Sequence, residues 1–381
     1  MAAPCSFASL PGARPSLPGP EPDFRMPAEW EPHAATWLAW PHNRSDWPGK
    51  FPSIPWVYAE IVRQISAGER VHIVVNDRAD EQKARAVLSR AHVSGGNVHF
   101  HHWRTDRGWT RDSGAIFVRG RHNVPVALDW KFNAWAKYGD WRHDDKLAAR
   151  MARYLGIQCV QPVVPELPVI GRRPKAPSSK AKQRLVLEGG SIEVNGRGAM
   201  LTTAECLLSQ EVQARNPGVG REPLEAAFRR YLGVKKVIWL ERGIAGDDTH
   251  GHIDDIARFV APDTVVAAVE DDANDPNYEP LRQNLETLRH TAGHDGRSLR
   301  VIELPMPAPV LFRGQRLPAS YANFYLANAA VLVPTFDDPN DRVALNVLAG
   351  LFPARRVVGI ASRDLIWGLG AIHCMTQQQP L

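Results

Sequence analysis

Apolar positions along the chain recur as one repeated phrase: a helical period, a glycine or proline break, then a short strand. The stretch WVYAEIVRQISAG (56–68) spaces its apolar residues as a helix does and leads into the strand RVHIVV. ADEQKARAVLSRA (79–91) predicts a second helix and NVHFHHW (97–103) a second strand. DDKLAARMARYLGIQCVQPV (144–163) and PLEAAFRRYLGVKKVIWL (223–240) each give helix, glycine stop and strand. NYEPLRQNLETLRHTAG before LRVIELP, and NDRVALNVLAGLFPARRVVGI, repeat the phrase. The break follows the last helical turn each time, as a helix stop should. Similar acidic loops, beginning at Asp271 and Asp337, introduce the last two helices. Asp and Asn there cap free amides. Their recurrence suits an internally repeated architecture. Hairpin candidates lie between the helices: RLVLEGGSIEV with AMLTT, and IARFVA with TVVAAVE. Hairpins alternating with helices argue against a purely parallel sheet. They favour several small β modules, each carrying a helix, with active residues on connecting loops.

The composition suits a globular chain. There are 381 residues, 44% hydrophobic and 23% charged, with 29 glycines and 31 prolines. A formal charge of +5 spread over this length is weak, and no basic cluster marks a nucleic-acid face. The basic run GRRPKAPSSKAKQR (171–184) is rich in proline, serine and lysine and is expected to be a solvated loop. No stretch is long enough to span a bilayer. Residues 1–25 are expected to be an irregular, proline-rich leader, and 26–381 a single domain. The four cysteines, Cys5, Cys159, Cys206 and Cys374, show neither a disulfide framework nor zinc-finger spacing. A cytoplasmic location, where thiols stay reduced, is the default expectation.

Three stretches concentrate reactive residues. HHWRTDRGWTRDSGAIFV (101–118) sets Trp109, Arg111 and Asp112 at a loop-to-strand junction. The plain alternative there is an Asp-Ser-Gly turn with an ordinary Arg111 salt bridge. GIAGDDTHGHIDDIARFV (243–260) packs Asp247, Asp248, His250, His252, Asp254 and Asp255 ahead of a strand. His250 and His252 with flanking carboxylates suit zinc or iron. Spacing of i and i+2 on a strand also sets His252 beside Asp254, as a base and its orienter. A self-capping Asx loop is the bland alternative. The third stretch, GLGAIHCMTQQQPL (368–381), carries Cys374 near the end, where chains usually fray. Its neighbour His373 is not automatically its partner, because neighbours on an extended chain point opposite ways. Taken together, a thiol, a histidine and carboxylates suit a planar cation. A guanidinium matches carboxylates bidentately, and Trp109 offers it a π face. Carboxylates raise a thiol's pKa, so a bound cation would have to help ionise Cys374.

These segments resemble the agmatine deiminases, within the guanidino-group-modifying enzymes that include bacterial peptidylarginine deiminases. The resemblance runs through MPAEWEPHAATWLAWP, WTRDSGAIFV, FNAWAKYGDW, LEGGSIEV, GHIDDIARFV and GLGAIHCMTQQQP, nearly the whole chain after the leader. It implies an α/β fold, a five-bladed propeller of pseudo-repeated ββαβ-type modules around a central site. It implies hydrolysis of agmatine to N-carbamoylputrescine and ammonia without metal or other cofactor. By the same resemblance Cys374 is the nucleophile and His252 the general acid and base. Asp112 and Asp254 grip the guanidinium, with Trp109, Asp248, Glu188 and His250 as further substrate contacts. The implied partner is a small cationic guanidine, with neither nucleic acid nor membrane, in a possible homodimer. The chain departs from the family pattern at His250, where an aspartate is usual, and at Leu369 and Ala371 in the glycine stretch. Peptidyl or free arginine therefore stays open as substrate. A metal-dependent hydrolase built on His250 and His252 and a non-catalytic cation binder are the rival readings.

Overall fold

The structure, a computed structural model, describes residues 24–93, 95–165 and 183–381. Most of the expected leader and of the basic run at 171–184 lies outside the described residues. The chain first forms β1 (His33–Ala39), α1 (Ile54–Ile65), β2 (Arg70–Val75), α2 (Arg78–Arg90) and β3 (Val98–His102), its three strands parallel and adjacent. A second unit contains α3 (Thr110–Ser113), β4 (Ile116–Arg119), β5 (Pro125–Leu128), α4 (Leu147–Leu155) and β6 (Gln158–Val160). The third has β7 (Glu193–Val194), β8 (Ala199–Thr203), α5 (Ala204–Leu208), α6 (Arg221–Leu232) and β9 (Lys236–Leu240). The fourth has β10 (Ala257–Ala261), β11 (Thr264–Val269), α7 (Tyr278–Arg289) and β12 (Arg300–Pro305). A small ribbon, β13 (Leu311–Phe312) with β14 (Gln315–Arg316), precedes the fifth. That unit holds β15 (Tyr325–Leu326), β16 (Ala330–Thr335), α8 (Pro339–Leu351) and β17 (Arg356–Ala361). The chain closes with α9 (Ile372–Met375) and β18 (Gln377–Pro380).

In units two to five an antiparallel pair is followed by a helix and a strand parallel to the second of the pair. Local rules account for the breaks. Gly156 and Gly233 end their helices in the left-handed conformation, and Asp338 and Asp341 form a capping box at the start of α8. Among the described residues no helix is long and apolar enough to cross a membrane.

The expectation of a five-bladed propeller is corrected. The described residues give a mixed α/β fold with nine α-helices and six separate sheets: one of four strands, four of three and one of two. None is closed into a propeller or barrel. Helix–strand alternation specifies only which neighbours along the chain pair. It carries no instruction for closing successive units on one another. The first unit also breaks the pattern. It has two parallel crossovers, and its antiparallel partner, β18, arrives from the far end of the chain.

That pairing sets the register Trp37–Gln377, Thr36–Gln378, Ala35–Gln379 and His33–Pro380. Side chains fix it further. Trp37 Nε1 donates to Gln379 Oε1 at 2.9 Å, and Gln377 Nε2 to the Ala115 carbonyl at 2.6 Å. The residues just upstream, Ala371–Met375, are buried. Cys374 and Met375 join the apolar core around Trp47, Tyr58 and Trp109. The chain end is thus built into the fold.

Candidate active site

Asp112 lies on the one-turn helix α3, not at the loop-to-strand junction expected from its sequence. Arg111 and Asp112 consequently point to different partners. Arg111 donates to the His373 carbonyl at 3.2 Å and to Gln378 Oε1 at 2.6 Å, and pairs with Glu29 at 3.3 Å, so it ties the C-terminal segment to this helix. Asp112 accepts from Trp135 Nε1 and from the Gly190 amide, both at 3.0 Å. Gly190 is required by this close approach. A Cβ there would stand 2.6 Å from His252 Nδ1, 2.9 Å from Asp112 Oδ1 and 3.1 Å from Asp254 Oδ2.

The acidic loop divides in two. Asp247 is a self-capping residue: its carboxylate accepts from Thr249 N at 2.7 Å, Thr249 Oγ1 at 2.6 Å, Gly251 N at 2.6 Å and His252 N at 3.1 Å. The bland Asx-loop reading holds for that residue. His252 and Asp254 face inward. They stand side by side, Nδ1 to Oδ1 3.9 Å, although on a 3-10 turn rather than the strand expected. His252 Nδ1 is also 3.9 Å from Asp112 Oδ1, and its Nε2 is 3.8 Å from Glu188 Oε2. Both ring nitrogens, Glu188 Oε2 and Asp254 Oδ1 are buried without a hydrogen-bond partner in the protein.

Cys374 Sγ accepts from Asn323 Nδ2 at 3.0 Å and lies 3.7 Å from Asp254 Oδ2. It lines a cavity of about 350 Å³ with Trp109, Asp112, Trp135, Asp248 and Asp46. Gly370 also lines it; a Cβ there would meet the Trp109 ring at 2.8 Å and Cys374 Sγ at 3.3 Å. Leu369 holds a left-handed backbone (φ +67°) on the same wall. Asp248 is already engaged, by Lys137 and by the Tyr138 hydroxyl at 2.7 Å. His250 does not line the cavity. Its Nδ1 faces Glu205 at 3.8 Å, so the structure does not join it to His252 as a metal pair.

Several partners had no signal in the sequence. His373, set aside because neighbours on an extended chain diverge, sits instead on a helical turn. Its Nδ1 meets Asp254 Oδ2 at 2.7 Å and its Nε2 meets Glu29 Oε2 at 2.8 Å. Glu29 is anchored in turn by Arg258 at 3.0 Å. Asn323 accepts from His373 N at 2.9 Å and donates to Asp255 Oδ1 at 2.9 Å. Arg215 Nε donates to Glu188 Oε1 at 3.1 Å. Only the adjacency of His373 to Cys374 was visible beforehand.

The charges follow from burial and neighbours. Burial raises Asp112 to about 6; His252 opposes this and Asp254 adds to it. Burial also favours neutral Glu188, but Arg215 and His252 outweigh it and hold the carboxyl at about 2. Burial alone would neutralise His252, yet Asp112, Cys206 and Glu188 hold its pKa well above the ordinary value. Cys374 is pushed well up by burial and then by Asp254, Asp255 and Asp112, so the free protein keeps it a thiol. A cation bound between these carboxylates reverses that balance.

A thiol at a cavity wall, a buried imidazole biased toward its protonated form and carboxylates with open oxygens define a cysteine-dependent hydrolase of the deiminase class, acting on a guanidinium group. The comparisons agree. The family described as Porphyromonas-type peptidyl-arginine deiminase matches residues 25–380, and the chain belongs to it. An agmatine deiminase of Ectopseudomonas mendocina is 33% identical over 380 residues, covering 94% of this chain and 95% of that protein. The solved agmatine deiminase of Enterococcus faecalis superposes with a TM-score of 0.82 at 31% identity, covering 96% of this chain and 98% of that one. A C. jejuni agmatine deiminase with substrate bound gives 0.80 at 29% identity, over 94% and 96% of the two chains.

Proposed function

We propose that the substrate is agmatine, converted with water to N-carbamoylputrescine and ammonia, and that Cys374, His252, Asp112 and Asp254 perform the reaction. One observation carries this: Cys374 Sγ lies on the cavity wall 3.7 Å from Asp254, a carboxylate with an open, buried Oδ1. A guanidinium held on Asp112 and Asp254 presents its central carbon to that sulfur. Trp109 covers one face of the cation. Its charge offsets the carboxylates, and Cys374 releases its proton to the water of the cavity. The thiolate attacks the carbon and gives a tetrahedral adduct. The His252 imidazolium protonates one nitrogen, the C–N bond breaks and ammonia leaves. An S-linked amidino intermediate remains. Neutral His252 takes a proton from water as the oxygen attacks the same carbon. Collapse breaks the C–S bond, the hydroxyl proton passes to the leaving sulfur, and the ureido product departs with Cys374 again a thiol and His252 again an imidazolium. Glu188 and Arg215 support the imidazolium; Asp112 and Asp254 supply positioning and charge stabilisation.

Asp46, on the cavity wall with Oδ1 paired to Arg107 and Oδ2 unpartnered, its carboxyl raised by burial to about 7 against the pull of Arg107, is the proposed receptor for the distal ammonium of agmatine. A single catalytic unit over 26–381 and a homodimer belong to the same reading on family resemblance, and a cytoplasmic location belongs to it because free thiols stay reduced there. A substrate panel tests it. Ammonia and ureido product are measured with agmatine, free arginine, arginine peptides and methylated guanidines, in wild type and Cys374→Ser. Turnover of agmatine above the rest, lost in the variant, is the expected result. Turnover of arginine instead corrects the substrate, and no turnover of any guanidine defeats the proposal.

A further inference from the structure

Cys206, a cysteine the reaction does not use, is fully buried behind His252. It lies in α5, where its amide donates to the capping hydroxyl of Thr203 at 3.1 Å. Its sulfur, a carboxylate oxygen of Glu188 and a ring nitrogen of His252 all lie within 4.8 Å of one another, and Glu188 Oε2 is 3.8 Å from His252 Nε2. Zinc bonds of about 2.0–2.3 Å place tetrahedral ligand atoms roughly 3.3–3.8 Å apart, so small side-chain movements close the trio on an ion. The second observation is independent of this spacing. Glu188 Oε2 and His252 Nε2 are buried and unpartnered. Arg215 engages the other oxygen, Oε1, and leaves Oε2 free. Thiolate, imidazole and carboxylate form a mixed S, N, O set of the kind that zinc and neighbouring divalent cations take.

We propose that Glu188, Cys206 and His252 form an inhibitory site for a thiophilic divalent cation of the zinc type. Binding releases the Cys206 thiol proton and the His252 Nε2 proton, and the metal takes both lone pairs. Glu188 stays ionised throughout, and water completes the coordination. With Nε2 occupied the imidazole is neutral and fixed. It can no longer protonate the leaving nitrogen. The binding site does not depend on the deiminase reading; only its inhibitory consequence rests on that reading.

Cobalt(II) serves as a spectroscopic stand-in for zinc. The first sample is a protein whose only cysteine is Cys206, made with Cys5→Ser, Cys159→Ser and Cys374→Ser. Titration with cobalt is expected to give a thiolate-to-metal charge-transfer band saturating at one equivalent. No band, with circular dichroism showing a folded protein, overturns the site. In the wild type, zinc is expected to inhibit ammonia release reversibly, with activity returning on chelation. Cys206→Ser, normalised to its own metal-free rate, is expected to need at least about tenfold more zinc. Unchanged zinc sensitivity in Cys206→Ser overturns the inhibitory role. A cobalt band without inhibition keeps the site and rejects its effect on the reaction. A wild type that turns over no guanidine leaves the cobalt result standing and condemns the deiminase reading instead.

Discussion

Replacing Gly190 by alanine tests the cluster at its tightest point. The added carbon would stand 2.6 Å from His252 Nδ1, ~0.8 Å inside the 3.4 Å of ordinary contact, and 2.9 Å from Asp112 Oδ1. Neither group can retreat freely, since Asp112 is bonded to Trp135 and Gly190 and His252 is enclosed. The imidazole therefore shifts by most of that overlap. A misplacement near 1 Å costs on the order of 10²-fold in rate, about 2.7 kcal/mol of transition-state stabilisation. The overpacking itself costs about 1–3 kcal/mol of stability. The assay is steady-state ammonia release with agmatine, beside urea unfolding of both proteins. The expected result is a fall in kcat of about 10²-fold in a protein that still unfolds cooperatively. A variant within about threefold of wild type would refute the reasoning, because His252 and Asp112 would then not need the placement that Gly190 permits.

Three further outcomes follow from the same geometry. Asp46→Asn should raise KM for agmatine by about tenfold, one charge-assisted hydrogen bond. It should leave butylguanidine, which lacks the distal amine, unchanged; equal effects on both substrates would remove Asp46 as the ammonium receptor. Because burial holds Asp112 at about 6, kcat/KM should climb through about pH 6 as the carboxylate ionises. The sign for stability is opposite. The native protein retains that proton between about pH 4 and 6 while the unfolded chain has lost it. The contribution of Asp112 to stability therefore falls as pH rises through that window. A pH series of unfolding for wild type and Asp112→Asn checks it, and a difference that does not change between pH 4 and 6 counts against the assignment. His373→Leu removes the ring shared by Asp254 and Glu29. Leaving a buried carboxylate oxygen without its hydrogen-bond partner costs about 1–3 kcal/mol; a loss under about 1 kcal/mol in urea unfolding would show that Arg258 and Arg111 hold the network without it.

The sequence by itself determined the local units and offered the candidate reagents. Periodicity and glycine stops marked helices such as Ile54–Ile65 and Arg221–Leu232 and the strands after them, because these depend on neighbours along the chain. The three reactive stretches offered Cys374, His252, Asp254 and Asp112 as candidates beside plainer readings, and the family resemblance supplied the roles that the proposed reaction gives them. What only the tertiary structure decided was how those reagents are held. Antiparallel pairing of β18 with β1 carries the cysteine inward. His373 lies between Asp254 and Glu29 because Ile372–Met375 is a helical turn, which reverses the expectation for an extended chain. Asn323 on the sulfur, Arg215 on Glu188 and Cys206 behind His252 come from distant segments without a common motif. The closed propeller failed for a related physical reason. Alternation of helix and strand specifies which neighbours pair, while the arrangement of whole units is set by contacts between side chains hundreds of residues apart.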